Sequence, residues 1–265
     1  MSVTDVHYGM TVSRRTGPVA VPSGCGRHDH LSWPYLGSES WRGAVTTFLR
    51  EGQERGERLL YLAAGTGDGP LDLDGVTELR AGALNRLEII ERLVDDAVAG
   101  GHTGVRIAVD TTSLVGRDFA RYELVADGLI ARAPLVVMCG YDLSSVAPDL
   151  AALLDFVHPL RRPRGCAGGD GAYPDGAGGW WMTGVLDLCN ADHLQLALST
   201  MPPTGEVRID VSQLRFCDAA ATRVLLRAAS RRHPAGRLVL CGASPLLRRV
   251  LEVGWPGGHP GLVLR

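Results

Sequence analysis

The chain has 265 residues, 45% of them hydrophobic, and a formal net charge of -2, which is room for two domains that each bury a core. All 27 basic residues are arginine, and this excludes chemistry built on a phosphate-loop lysine, a Schiff base or a lysine general base. Apart from Arg161-Arg162-Pro163-Arg164 there is no basic cluster for nucleic acid, no apolar run of the roughly 18 residues that span a bilayer and no signal-peptide core, so a cytoplasmic protein is expected.

Residues 1–24 carry Gly, Pro, Ser and Thr without periodicity and predict a flexible arm. An aromatic and histidine cluster follows, containing His30, Trp33 and Tyr35. Trp41, Val45, Phe48 and Leu49 then lie at helical spacing, in a helix that starts at Ser38 and ends near Gly52 or Gly56. Arg58–Ala63 reads as a buried strand before the loop Gly65-Thr66-Gly67-Asp68-Gly69-Pro70. That loop looks like a phosphate cradle, but it lacks the lysine and hydroxyl in register, and Asp68 repels phosphate. A plain turn that does not bind ATP is expected there.

A short strand over Thr77–Ala81, a helix over Asn85–Val98, a strand over Val105–Asp110 and a helix over Phe119–Ala131 come next. Leu135–Cys139 is an apolar run suited to a strand covered on both faces. A helix over Val146–Phe156 leads to His158 and Pro159, which close the unit at residue 160. This alternation predicts a parallel three-layer α/β domain over 25–160. Residues 161–179, dense in Gly and Pro, predict a flexible linker. The six cysteines form no C-x-x-C pair and are expected to be reduced.

In the remaining segment, 180–265, Val207, Ile209 and Val211 alternate with polar neighbours as in a half-buried strand. Leu214 and Phe216 continue the apolar packing after a bend. Asp218 stands where a helix N-cap belongs, with Ala219, Ala220 and Ala221 opening a helix that runs through Leu226. Its exposed N-terminus, with unpaired N–H groups, is a natural recognition point.

Several stretches in this half resemble the STAS family of anti-sigma factor antagonists. They are Gly184–Asp187, Asp210–Leu214, Phe216–Ala221, Gly236–Leu240 and Ser244–Leu251, in the family's order over about a third of the chain. The resemblance implies a small α/β domain whose switch loop meets an anti-sigma factor or related kinase, or other STAS proteins. It marks Asp187, Ser212, Asp218, Ala219, Ala220, Ala221 and Thr222 as the partner-binding loop. The family usually reads Asp-Ser-Ser/Thr-Gly there, with a phosphorylatable hydroxyl at the place of Ala220; here the hydroxyls and the glycine are alanine. Thr222 lies two residues further along the helix, about 200° around it, and is expected to face away.

Residues 26–160 resemble the MEDS sensory domain of methanogen and methylotroph regulators. The matching residues are Asp29-His30 with Tyr35, Gly52–Ala63, Tyr122-Glu123, Cys139–Asp142 and His158-Pro159. This resemblance implies a RecA-like core that senses small hydrocarbon-like molecules, with Asp110 standing where the family more often has glutamate.

His30, Cys139 and His158, at or near predicted strand ends, centre the candidate ligand site, because parallel sheets bind at their carboxyl edge. The full candidate set is His30, Trp33, Tyr35, Asp110, Glu123, Cys139, Tyr141 and His158, apolar walls with a few polar groups suited to a small organic ligand. His30, Cys139 and His158 are metal-capable donors, but no local motif joins them, so no metal and no cofactor are expected. Glu123 with His30 has the makings of an acid and a base, yet no nucleophile motif accompanies them, and no catalytic residue is assigned. The expected function is a two-domain signalling regulator with a sensed small molecule. A ligand-binding scaffold assembling with STAS proteins is the alternative, and an enzyme at the His30/Cys139 edge is the third reading. No nucleic-acid or membrane partner is expected, and a homodimer is compatible with the sequence.

Overall fold

The computed structural model describes residues 14–63, 71–80, 86–164 and 169–265. Strands β1 (Gly17–Pro18), β2 (His30–Tyr35), β3 (Arg58–Ala63), β4 (Val76–Arg80), β5 (Val105–Asp110), β6 (Leu135–Asp142) and β7 (Leu160–Arg161) form one sheet. Its order is β1-β7-β2-β6-β5-β3-β4, and every neighbouring pair is parallel. The helices are α1 (Ser38–Glu54), α2 (Leu87–Ala99), α3 (Arg117–Ile130) and α4 (Pro148–Val157).

Strand side chains alternate between faces, and the continuous apolar runs feed two cores. Leu59 and Tyr61 join Leu31, Trp33, Tyr35 and the α1 residues on one face. Leu60 and Leu62 join Ile107, Val137 and Cys139 under α2 and α3 on the other. On the α1 face, a Cβ at Gly140 would come 2.4 Å from the Trp41 ring, so glycine lets that indole lie flat on β6.

The second sheet holds β8 (Gly171–Pro174), β9 (Trp180–Leu186), β10 (Gly205–Asp210), β11 (Leu214–Cys217), β12 (Gly236–Cys241) and β13 (Leu262–Leu264). The order β11-β9-β10-β12-β13 is parallel, with β8 antiparallel to β9. Helices α5 (Ala191–Thr200), α6 (Ala219–Arg232) and α7 (Pro245–Gly254) complete it. The chain is therefore α/β throughout, a seven-stranded parallel sheet followed by a smaller mixed one. Leu124 and Phe156 of the first unit share a core cluster with Tyr173, Leu194, Leu196 and Leu198 of the second.

Two sequence expectations need correction. The described part of the arm is built in: Val19 is buried, Gly17 N–H donates to Pro159 O at 2.8 Å, and Val19 N–H donates to Arg161 O at 2.8 Å. The stretch read as a flexible linker contains the end of β7 and all of β8, with Ala172 and Tyr173 fully buried. In both places the order comes from pairing with distant strands, which local Gly and Pro content does not report. The His30–Tyr35 cluster is itself a strand, buried at all six positions, although Pro34 reads against one. The Gly65–Pro70 loop lies outside the described residues.

Candidate functional site

Helix α3 sets the site. Glu123 and Asp127 are four residues apart, so they share one helix face, and both are buried toward the sheet. His30 opens β2 and Cys139 lies inside β6, with Ser32 in register with Cys139 and His30 with Val137. Both side chains point to the α3 face. His158 follows the last turn of α4. His30, Glu123, Cys139 and His158 thereby bring one donor atom each within 4.8 Å of one another, all buried.

The distances are short. His30 Nε2 is 3.0 Å from Glu123 Oε2 and 3.4 Å from Cys139 Sγ. The Cys139 thiol donates to Glu123 Oε2 at 3.5 Å, and the two imidazole centroids are 4.1 Å apart. His158 Nδ1 is 2.7 Å from Leu154 O. A carbonyl only accepts, so Nδ1 carries a proton. His158 Nε2 lies 3.3 Å from Glu123 Oε2, but out of line for a hydrogen bond, and it is left without a partner. His30 Nδ1 bonds Asp127 Oδ1 at 2.9 Å, and Arg14 clamps the same carboxylate through both terminal nitrogens.

Burial opposes ionisation of Glu123, but His158 and His30 beside it hold its pKa down to about 2. Burial likewise opposes a charge on His30, and the carboxylates of Asp127 and Glu123 override it and raise its pKa. The Cys139 thiol is pushed well up by burial, then by Glu123. A carboxylate and a protonated donor thus sit together out of water, as charge pairing inside a protein requires.

His30, Glu123 and Cys139 form the polar end of a cavity of about 190 Å³ between the sheet and helices α2 and α3. Apart from Thr111 and Tyr122 the rest of its wall is apolar, with Leu62, Ile107, Phe119 and Leu129 among the lining residues. An apolar cavity of roughly 150 Å³ stays dry and accepts a benzene-sized molecule.

Four of the eight candidates thus converge and four do not. Trp33 and Tyr35 lie on the opposite face, in the α1 core, with Tyr35 stacked on Trp41 at 5.2 Å. Asp110 accepts from Tyr35 Oη at 2.7 Å at the carboxyl edge. Tyr141 donates to Asp155 Oδ1 at 2.7 Å in a separate buried network with Ser32. The site is therefore on the face of the sheet rather than at its carboxyl edge, because alternation along β2 and β6 sends only alternate side chains toward α3. Asp127 and Arg14 were missed, although the four-residue spacing of Glu123 and Asp127 on an otherwise apolar helix face was a readable signal.

The second site is the start of α6. Asp218 caps the helix, accepting from Ala221 N–H at 2.9 Å and from Leu188 N–H at 3.0 Å. Ala219 is exposed and Ala220 half-exposed. Thr222 is only 2% exposed, and its hydroxyl donates to Asp218 O at 2.7 Å. Ser212 is exposed in the turn between β10 and β11, and Asp187 Oδ1 accepts from Cys189 N–H in a tight turn. Beside the cap, Leu188 is 75% and Phe216 44% exposed.

Residues 29–159 match the model of the MEDS domain, the methanogen/methylotroph DcmR sensory domain, and residues 181–255 match that of the Mlab, STAS domain. The chain carries a MEDS domain followed by a STAS domain. It is also similar to a putative anti-sigma factor antagonist, BtrV, from Bordetella bronchiseptica, with 35% identity over 75 residues. That match takes in 27% of this chain and spans 65% of the relative's length. Among the described residues, no helix is long and apolar enough to cross a membrane.

Proposed function

We propose that this protein is a non-catalytic cytoplasmic regulator of the anti-sigma factor antagonist type. Its N-terminal domain holds a small apolar molecule in the cavity under α3. Its STAS domain docks an anti-sigma factor or related kinase on the rim of α6. The observation that carries this reading is the arrangement around Asp218. The Asp218-capped N-terminus of α6 is flanked by exposed Leu188 and Phe216, an apolar pair with a polar rim as docking surfaces require. With alanine at 219–221 and Thr222 buried against Asp218 O, the rim has no phosphate acceptor at the place where the family's switch operates. Control then passes to the N-terminal domain or to partner abundance.

The test is isothermal titration of the full chain with purified anti-sigma factor kinases from the same genome. Asp218→Arg and Phe216→Asp each weaken binding at least tenfold, about 1.4 kcal/mol. No binding by any kinase, or affinity untouched by both substitutions, overturns the reading. Assembly only with other STAS proteins would make the chain a scaffold instead.

A further inference from the structure

We propose that His30, Glu123, Cys139 and His158 form a zinc-binding centre, independent of the partner that the STAS domain takes. In the sequence no local motif joins the metal-capable His30, Cys139 and His158, and Glu123 stands far from all three. The fold brings them to one point.

The geometry suits one ion. Bonds of about 2.0–2.3 Å to N, O and S in a tetrahedron put the donor atoms roughly 3.3–3.8 Å apart. Four pairs here lie at 3.0, 3.3, 3.4 and 3.5 Å, and all the donors fit within 4.8 Å. The set of two imidazoles, a thiol and a carboxylate is a zinc-type donor set rather than a calcium or magnesium one, which would be all oxygen.

The outer contacts are those of metal ligands. His30 gives its Nδ1–H to the Asp127 carboxylate and His158 gives its Nδ1–H to the Leu154 carbonyl. In its neutral form each ring then has Nε2 as the lone-pair nitrogen, turned toward the cluster, as ligating histidines are held. The His158 Nε2 is the strongest single sign: a fully buried nitrogen aimed into the cluster with no hydrogen-bond partner, which is costly unless something binds there.

Charge also favours a cation: two buried carboxylates, Glu123 and Asp127, face the single buried guanidinium of Arg14, and a divalent ion held by a Cys139 thiolate adds one positive charge beside them. The ion occupies the polar end of the cavity, where His30, Glu123 and Cys139 form the wall, so a molecule in the cavity would lie against it.

The test uses the full chain with any affinity tag removed. Protein stripped with EDTA and reloaded with zinc chloride, then freed of excess metal by gel filtration, is expected to retain about one equivalent by mass-spectrometric metal analysis. Cys139→Ser, His158→Ala and Glu123→Gln each remove most of it, whereas Cys189→Ser, at an exposed cysteine outside the cluster, leaves it unchanged. Cobalt(II) gives a readout that needs no variant. The wild-type protein shows a near-ultraviolet thiolate-to-cobalt band with visible bands of tetrahedral intensity, and zinc abolishes both. Zinc retention that none of the three cluster substitutions lowers, or cobalt bound with no thiolate band, overturns the proposal. If the substituted proteins lose their cooperative melt, the wild-type cobalt spectrum decides.

Discussion

Asp127 and Arg14 form a fully buried ion pair in which both terminal guanidinium nitrogens meet the carboxylate. The pair touches both halves of the molecule. Asp127 holds His30 at the cavity, and Arg14 donates to the carbonyl of Pro174, the last residue of β8, at 3.0 Å. One carboxylate therefore links the His30 imidazole to the hairpin that opens the STAS sheet. Removing one partner of a buried pair strands the other charge and costs about 3–5 kcal/mol. Asp127→Ala is expected to lower unfolding stability by that amount in urea titrations. Asp127→Asn, which keeps hydrogen-bonding capacity, is expected to recover part of it. A loss under about 1 kcal/mol, typical of a surface pair, would mean that the pair does not tie the units together.

The same carboxylate should tune the zinc site. Outer-shell partners of ligating histidines are worth about 10–100-fold in metal affinity. Asp127→Asn is expected to weaken zinc binding within that range in competition with a chromophoric chelator, while cobalt keeps its thiolate band because Cys139 is untouched. An unchanged affinity would show that the Asp127 hydrogen bond to His30 does not support the ligand.

The cavity predicts ligand-linked stability. A molecule that binds only the folded state at about 100 times its dissociation constant adds about 2.7 kcal/mol. Small apolar compounds of benzene size are expected to raise the melting temperature of the wild-type protein. Ile107→Phe, which fills the cavity from the sheet side, is expected to abolish the shift. Hits that persist in Ile107→Phe would place the binding site elsewhere.

Gly140 tests how the opposite face is packed. A Cβ there would meet three Trp41 ring atoms at 2.4, 2.4 and 2.8 Å, and the indole is fully buried, with Tyr35 stacked on it. Overpacking of a rigid core costs about 1–3 kcal/mol. Gly140→Ala is expected to fall in that range by chemical denaturation, and a neutral substitution would show that Trp41 has room to move.

Much of this architecture was legible in the sequence because it depends on local pattern. The strands at Arg58–Ala63 and Val105–Asp110 and the helix from Ser38 carry their own periodicity and punctuation. So does the Asp218 cap, which the structure places where the sequence put it. What the sequence hid depends on pairing. Pro34 masked β2, β1 and β8 exist only through partners far along the chain, and face alternation separated Trp33 and Tyr35 from His30. The candidate cluster was half legible. Four of the eight chosen residues meet, and which of them do is decided by the register of β2 against β6 and by the pitch of α3.

The switch loop supports a gain-of-function experiment. In an ordinary STAS switch a phosphoryl group adds roughly −1.5 to −2 charges and three acceptor oxygens at the docking rim. Here no hydroxyl stands at Ala220, and Thr222 turns inward, its oxygen bonded to Asp218 O and lying 3.6 Å from Cys217 Sγ. Phosphorylating Thr222 would require breaking the first turn of α6. Incubation of the wild-type chain with ATP and a bound partner kinase is therefore expected to leave residues 208–227 unmodified in peptide mapping. Ala220→Ser puts a hydroxyl on the half-exposed rim beside the cap and is expected to accept phosphate from the same kinase. The modified protein should then release that kinase, since the new charge must be desolvated against exposed Leu188 and Phe216. Stoichiometric phosphate on Thr222 or Ser212 of the wild-type protein would show that the chain keeps a working switch of its own. Failure of Ala220→Ser to accept phosphate while still binding the kinase would show that the kinase's active site does not reach this loop.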